Sequence, residues 1–223
     1  MKLGLASNFY NEYGNVDGIW NLFKDVVDQW LVLDSHSQDN TQKRLQEVVG
    51  SKLILIDDDT CRTHTGNARN KLIELSTSMD WVLIIDGDER MLPEEIQKLK
   101  TLVDSDPDYD IIWLPRISNW SWDLSMAQGG ADSNGIGPNR LQAIQNQPDW
   151  QPRLVKRTMI DNQSRVHFYR AAHEIIQGLN GVEIKQLNDL NSPVIDHFGR
   201  LRTPERKQFI HNIWYKDFRE DNL

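Results

Sequence analysis

Cysteine is almost missing: Cys61 stands alone among 223 residues. An intrachain disulfide is therefore excluded, and so is a zinc site built on cysteines. No run approaches the ~20 consecutive apolar residues that a membrane helix needs, so no membrane span is expected. The opening Met1-Lys2-Leu3-Gly4-Leu5-Ala6-Ser7 turns polar too soon for a signal peptide, and a cytoplasmic location is expected. Positive charge is in the minority, with 25 Lys+Arg against 33 Asp+Glu and a net charge of −8, and it nowhere gathers into a run. That argues against a nucleic-acid partner held through phosphate contacts. A Walker loop and a Gly-x-Gly-x-x-Gly fingerprint are both absent, which disfavours ATPase and dehydrogenase chemistry.

What is present is an alternation of short apolar runs with helical patterns. Lys2 to Ser7 reads as a strand, and Val16 to Gln29 as a helix with Ile19, Trp20, Phe23, Val26 and Val27 on one face. Trp30 to Leu33 reads as a second strand, and a helix capped by Asp39 or Asn40 runs to about Val49. Leu53 to Ile56 is a third strand, Asn67 to Met79 a helix, and Trp81 to Ile85 a fourth strand. Pro93 opens a further helix, with Glu94 and Glu95 in its first turn, and Ile111 to Leu114 is a fifth strand. This order predicts an α/β fold with a mostly parallel central sheet flanked by helices. Ligands of such sheets sit beyond the carboxyl ends of the strands, and polar and acidic residues follow each strand here. Ser118 to Asp149 lacks periodicity, and a loop of that length is usually functional. Short strands are expected near Arg153–Lys156, Val166–Tyr169, Val182–Ile184 and Val194–Ile195, with a last helix from Thr203 to about Phe218. The whole chain, 1–223, reads as one domain, with 1–115 as one half and 116–223 as a smaller mixed half.

Asp86 and Asp88 end the most apolar strand, two residues apart around Gly87. On an extended chain that spacing places both carboxylates on one side. They repel unless a cation or a shared proton lies between them. Mg²⁺ or Mn²⁺ suits a site of few carboxylates completed by substrate phosphate oxygens. Asp104 to Asp110 reads instead as a solvated turn, and Asp57 to Asp59 as a solvated loop end or a nucleotide-facing edge.

The motifs, taken in order, resemble glycosyltransferase family 2, of the GT-A fold. Asn11-Glu12 looks like the family's Asn-Glu element. Asp34-Ser35-His36-Ser37-Gln38-Asp39-Asn40-Thr41 looks like its Asp-x-x-Ser-x-Asp-x-Thr stretch. Ala68-Arg69-Asn70 followed by Asp86-Gly87-Asp88-Glu89 resembles its Ala-Arg-Asn helix leading to Asp-x-Asp. The resemblance covers Met1 to Pro115 well, and continues more weakly through Pro152-Arg153-Leu154, Ala172-His173-Glu174 and Asp196-His197.

It implies a GT-A-like, Rossmann-like sheet whose half 1–115 binds a nucleoside diphosphate sugar, usually UDP-linked, and whose half 116–223 faces the acceptor. The sugar would pass with inversion to a hydroxyl on a glycan, lipid or protein-linked acceptor. Ser7, Asn11 and Glu12 would lie by the nucleoside, Asp34 would contact the base, and Arg69 would face base and phosphates through its fork. Gly87 would border the donor. Asp88 would ligate Mn²⁺ or Mg²⁺ directly, Asp86 would hold the ribose or a metal-bound water, and His197 would be a further ligand. The metal would act as a Lewis acid on the departing diphosphate. The general base would be Glu174, or second Asp196. His173, Trp120, Trp122 and Arg153 would serve the acceptor side. Two rival readings are a nucleotidyltransferase, disfavoured because Asn8 to Gly14 contains no Lys or Arg, and a non-catalytic nucleotide-sugar or glycan-binding module.

Overall fold

The computed structural model describes residues 1–60, 64–118, 149–160, 166–169, 175–187 and 192–197. Strand β1 (Leu3–Phe9) leads to helix α1 (Tyr13–Phe23), β2 (Gln29–Asp34), α2 (Thr41–Val49) and β3 (Leu53–Asp57). Then come α3 (Thr65–Leu75), β4 (Trp81–Ile84), the two-residue β5 (Glu89–Arg90), α4 (Pro93–Asp104) and β6 (Ile111–Ser118). The later strands are β7 (Asp149–Lys156), β8 (His167–Tyr169), β9 (Ile175–Gln177), β10 (Ile184–Gln186) and β11 (Ile195–His197).

Among the described residues the main sheet runs β3-β2-β1-β4-β7-β6-β11-β5, with β10 also on β6. The β1, β2, β3 and β4 ladders are parallel, as are those of β6 with β10 and β11. Strand β7 is antiparallel to both β4 and β6, and β5 to β11. The insertion of β7 between β4 and β6 was not visible in the order of elements along the chain. Strand β7 also begins at Asp149, four residues before the expected Arg153.

Period-two alternation explains why the strands are apolar throughout. Leu5, Trp30, Val32 and Leu83 face one core, shared with Val16, Ile19 and Phe23 of α1 and Leu99 of α4. Ala6, Leu31, Leu33 and Val82 face the other, shared with Ala68, Leu72 and Ile73 of α3. Leu83 is fully buried, so Leu83→Ala is expected to cost about 2–5 kcal/mol in urea unfolding.

Two helices are shorter than their patterns implied. α1 stops at Phe23, where the amides of Val26 and Val27 both turn back to the Phe23 carbonyl. Asp28 then caps the entry to β1, its carboxylate accepting from Leu3 N at 2.9 Å. α3 stops at Leu75 because Ser76 bonds the Ile73 carbonyl through Oγ at 2.6 Å. Pro93 opens α4 as expected. The segment 119–148 and the last expected helix lie outside the described residues. No helix among the described residues is long and apolar enough to cross a membrane.

Candidate active site

The carboxyl ends of β1 and β2 are tied together by the motif residues themselves. Asn11, at φ 53°, donates its amide to Ser37 Oγ at 2.7 Å and accepts from Gln38 N at 2.8 Å. A left-handed backbone is one that Asn tolerates better than most residues. Glu12 N donates to Thr41 Oγ1 at 2.9 Å, and Tyr13 N to Asp39 at 3.1 Å. Asp34 is fully buried. Its carboxylate accepts from Ser37 N at 2.8 Å, Ser37 Oγ at 2.5 Å and Gln42 Nε2 at 2.8 Å. The Asp-x-x-Ser-x-Asp-x-Thr pattern is thus a self-bracing loop. The Asp34 carboxylate is bonded into that loop. The neighbouring Asp57 is exposed and meets both Gln42 and His36 at 2.8 Å.

Ser7 is fully buried, and its hydroxyl accepts from the Trp30 indole at 3.0 Å. That bond commits the hydroxyl oxygen to the core. The adjacent Asn8, to which the sequence assigned no role, has both amide atoms buried and unpartnered among the described residues. Buried polar groups are normally paired, so this amide offers a ready donor and acceptor at the end of β1.

Past β4 the chain folds into a turn. Glu89 N donates to Asp86 O at 3.0 Å, and the Glu89 carboxylate accepts from Asp86 N at 2.9 Å. Asp86 and Asp88 therefore do not share one side of an extended strand, as their spacing predicted: they sit on a turn and meet different partners. Asp86 receives Arg69 in a fork, at 3.2 and 2.9 Å, and Arg153 at 3.2 and 3.3 Å. Glu89, fully buried, takes Arg153 at 2.6 Å and Arg116 at 3.2 Å. Arg116 reaches on to Asp149 at 2.9 Å. Arg153 thus belongs to this network, beside Asp86. Burial works against the charged form of Asp86, but the positive charges of Arg69 and Arg153, with Arg116 beyond them, outweigh it. They hold its carboxyl well below the usual carboxylate range.

That downward shift fixes a sign. The stability it contributes is complete above the unfolded-state value of about 3.9 and is lost as pH falls through the lower folded-state value. Below pH ~4 the melting temperature of the wild type is expected to fall toward that of Asp86→Asn, whose own profile should be flatter. Parallel melting profiles for the two proteins from pH 7 to pH 2 would contradict this.

Asp88 is buried, and its Oδ2 lies 3.2 Å from His197 Nε2. His197 Nδ1 has no partner among the described residues. β11 brings His197 there by pairing across β5, with His197 opposite Glu89 and Asp196 opposite Arg90. Side chains alternate along a strand, so His197 turned to Asp88 leaves Asp196 on the other face. Asp196 is also fully buried. Gly87 is buried, and a Cβ there would stand 2.6 Å from Glu12 Cδ, so the missing side chain is what lets Glu12 lie against the turn. Glu12 also accepts from Asn15 Nδ2 at 2.6 Å. Glu174, His173, Trp120 and Trp122 lie outside the described residues.

The roles of Glu89, Arg90, Arg116 and Asn15 went unread in the sequence. A signal existed: Arg116 and Arg153 interrupt apolar strands, and a charge within a buried strand must be paired.

The family model described as glycosyl transferase family 2 matches residues 8–173, and the chain belongs to that family. A TPR repeat-containing protein of Synechococcus elongatus is 28% identical over 213 residues, which are 89% of this chain and 44% of that protein. The chain thus spans less than half the length of that curated relative. S. aureus TarS 1-349 in complex with UDP-GlcNAc superposes with a TM-score of 0.61 at 16% identity, over 90% of this chain and 59% of that one. Glucosyl-3-phosphoglycerate synthase from Mycobacterium tuberculosis, in complex with Mn²⁺, UDP-glucose and phosphoglyceric acid, gives a TM-score of 0.56 at 14% identity, over 97% and 78%. These structures share the curled mixed sheet with flanking helices, which is the GT-A fold.

Proposed function

We propose that this chain transfers a sugar, with inversion, from a nucleoside diphosphate sugar, UDP-linked, to a hydroxyl acceptor in the presence of a divalent cation. The observation that carries the reading is the convergence of Asp88 and His197 at 3.2 Å, next to the Arg69–Asp86–Arg153 cluster at the carboxyl end of β4.

The donor set fits Mn²⁺ or Mg²⁺. A separation of 3.2 Å is that of two neighbouring ligands on a cation bonded at ~2.1 Å. No group of three or more potential ligands occurs among the described residues. Such a site leaves coordination positions for diphosphate oxygens and water. An imidazole beside a carboxylate favours Mn²⁺ over Mg²⁺. The bound cation would supply Lewis acidity to the leaving diphosphate.

The protein's own groups do the rest. Asp88 and His197 present the two ligating atoms. Asp86 keeps the guanidiniums of Arg69 and Arg153 in fixed orientation, ready to meet negative charge on the donor. Asn8 supplies an unused donor and acceptor toward the nucleoside. Asn11 and Asp34 support these groups by locking the two loops. Glu174 is the proposed base for the acceptor hydroxyl. Family membership favours sugar transfer over nucleotidyl transfer, and turnover separates it from a non-catalytic binding module.

The reading is tested by melting the protein with UDP-, GDP-, CMP- and dTDP-sugars, with and without Mn²⁺. A UDP-sugar at 100 times its dissociation constant should stabilise by ~2.7 kcal/mol with metal, and the other classes much less. Equal shifts across all four classes would remove the UDP assignment. Glu174→Gln should keep this shift and lose sugar transfer; retained transfer would remove Glu174 as the base.

A further inference from the structure

Arg90 follows the acidic motif directly, and the reading above gives it no role. It is buried, yet among the described residues it ends in no ion pair of short range. Its Nη1 donates to the carbonyl of Gly87 at 3.0 Å and to that of Glu89 at 2.6 Å. Those two carbonyls flank Asp88. Its Nη2 donates to Asn15 Oδ1 on α1 at 2.7 Å. Asn15 in turn gives its amide hydrogen to Glu12 at 2.6 Å. The guanidinium lies along α1 at Gly18, where a Cβ would stand 3.4 Å from Arg90 Nε. One planar fork therefore staples both sides of the Asp88 residue to the first turns of α1.

The same residue governs the other half of the pair. Arg90 is one of the two residues of β5, and β5 sets the register that places His197 opposite Glu89. A shift of the turn would move Asp88 and the strand that aligns His197 together.

We propose that Arg90 is a positioning residue: through Asn15 it anchors the Asp88 turn to α1 and so sets the affinity of the Asp88–His197 pair for a divalent cation. The inference rests on the metal-dependent reading of that pair. Arg differs from Lys here because a fork reaches two carbonyls and a side-chain oxygen at once, whereas a single ammonium is a point charge. Groups that orient metal ligands typically change metal affinity by about 10–100-fold when removed.

The test measures free Mn²⁺ by electron paramagnetic resonance in titrations with UDP present, on wild type, Asp88→Ala, Arg90→Lys and Asn15→Ala, with a melting curve for each. Arg90→Lys keeps the charge, and Asn15→Ala removes the far anchor together with its bond to Glu12 but leaves Arg90 itself in place, so it guards against misfolding of the buried variant. Both should bind Mn²⁺ about tenfold or more weakly, while Asn15→Ala melts close to wild type. A structural role alone would lower the melting temperature and leave Mn²⁺ affinity of the folded protein intact. Wild-type Mn²⁺ affinity in both variants, with Asp88→Ala defective, overturns the positioning role alone. A wild type that binds no Mn²⁺ with UDP overturns the metal-dependent reading and this inference together.

Discussion

Asp86→Asn should lower the stability of the folded chain by about 3 kcal/mol, the lower end for breaking a buried ion pair from one side. The reason lies with the partners. Arg69 and Arg153 are each only 3% exposed, so the substitution takes a carboxylate away from two guanidiniums that little water solvates. Arg153 keeps Glu89 at 2.6 Å, which limits the loss. For a chain of this size the melting temperature should fall by about 6–12 °C. Replacing Asp86 and Arg69 together should cost less than the sum of the single changes, because no unpaired charge remains between them. Urea unfolding of the two single variants and the double variant checks this. Additive losses, or a loss under 1 kcal/mol for Asp86→Asn, would mean the cluster is screened by solvent.

The second large effect separates Asp88 from Asp86. Asp88→Ala should abolish the Mn²⁺-dependent stabilisation by a UDP-sugar, a loss of about 2.7 kcal/mol at 100 times the dissociation constant. In the wild type that corresponds to a shift of about 5–11 °C. Among the described residues the ion pair of Asp88 is with His197, which is 22% exposed, so Asp88→Ala without ligand should melt closer to wild type than Asp86→Asn. His197→Ala should weaken the metal effect without removing it. A ligand-free collapse of Asp88→Ala, with Mn²⁺ still stabilising what remains folded, would show a structural carboxylate rather than a ligand.

The first half of the fold was legible because each of its strands is apolar on both faces and each helix carries a 3.6-residue stripe. Trp30 to Leu33 and Trp81 to Ile84 needed no long-range information. The insertion of β7 did, since nothing local in Asp149–Lys156 tells which edges it will join. Helix ends were misplaced where a side chain or a backbone turn intervened, as at Phe23 and Ser76. At the site, spacing pointed to Asp86 and Asp88 and the family resemblance to Arg69 and His197, and the fold brings these four to one edge. Spacing misled where it assumed an extended chain, as for the same-side reading of Asp86 and Asp88. The resemblance placed Ser7 by the nucleoside, but gave no sign that its hydroxyl accepts from an indole 23 residues away. Asp196 stands beside His197 in sequence, but strand alternation sends neighbours to opposite faces. The clamp formed by Arg90 was invisible because two of its targets are backbone carbonyls, which every residue has, and the third is Asn15, 75 residues away.

The most direct measurement is release of UDP from a panel of UDP-sugars by the purified chain, with Mn²⁺, with EDTA, and with Asp88→Ala in place of wild type. Metal-dependent UDP release by wild type, lost with EDTA and lost in Asp88→Ala, is the predicted result. UDP release that persists with EDTA and in Asp88→Ala would contradict it, and the acidic turn would then be a structural element of a site that works without metal.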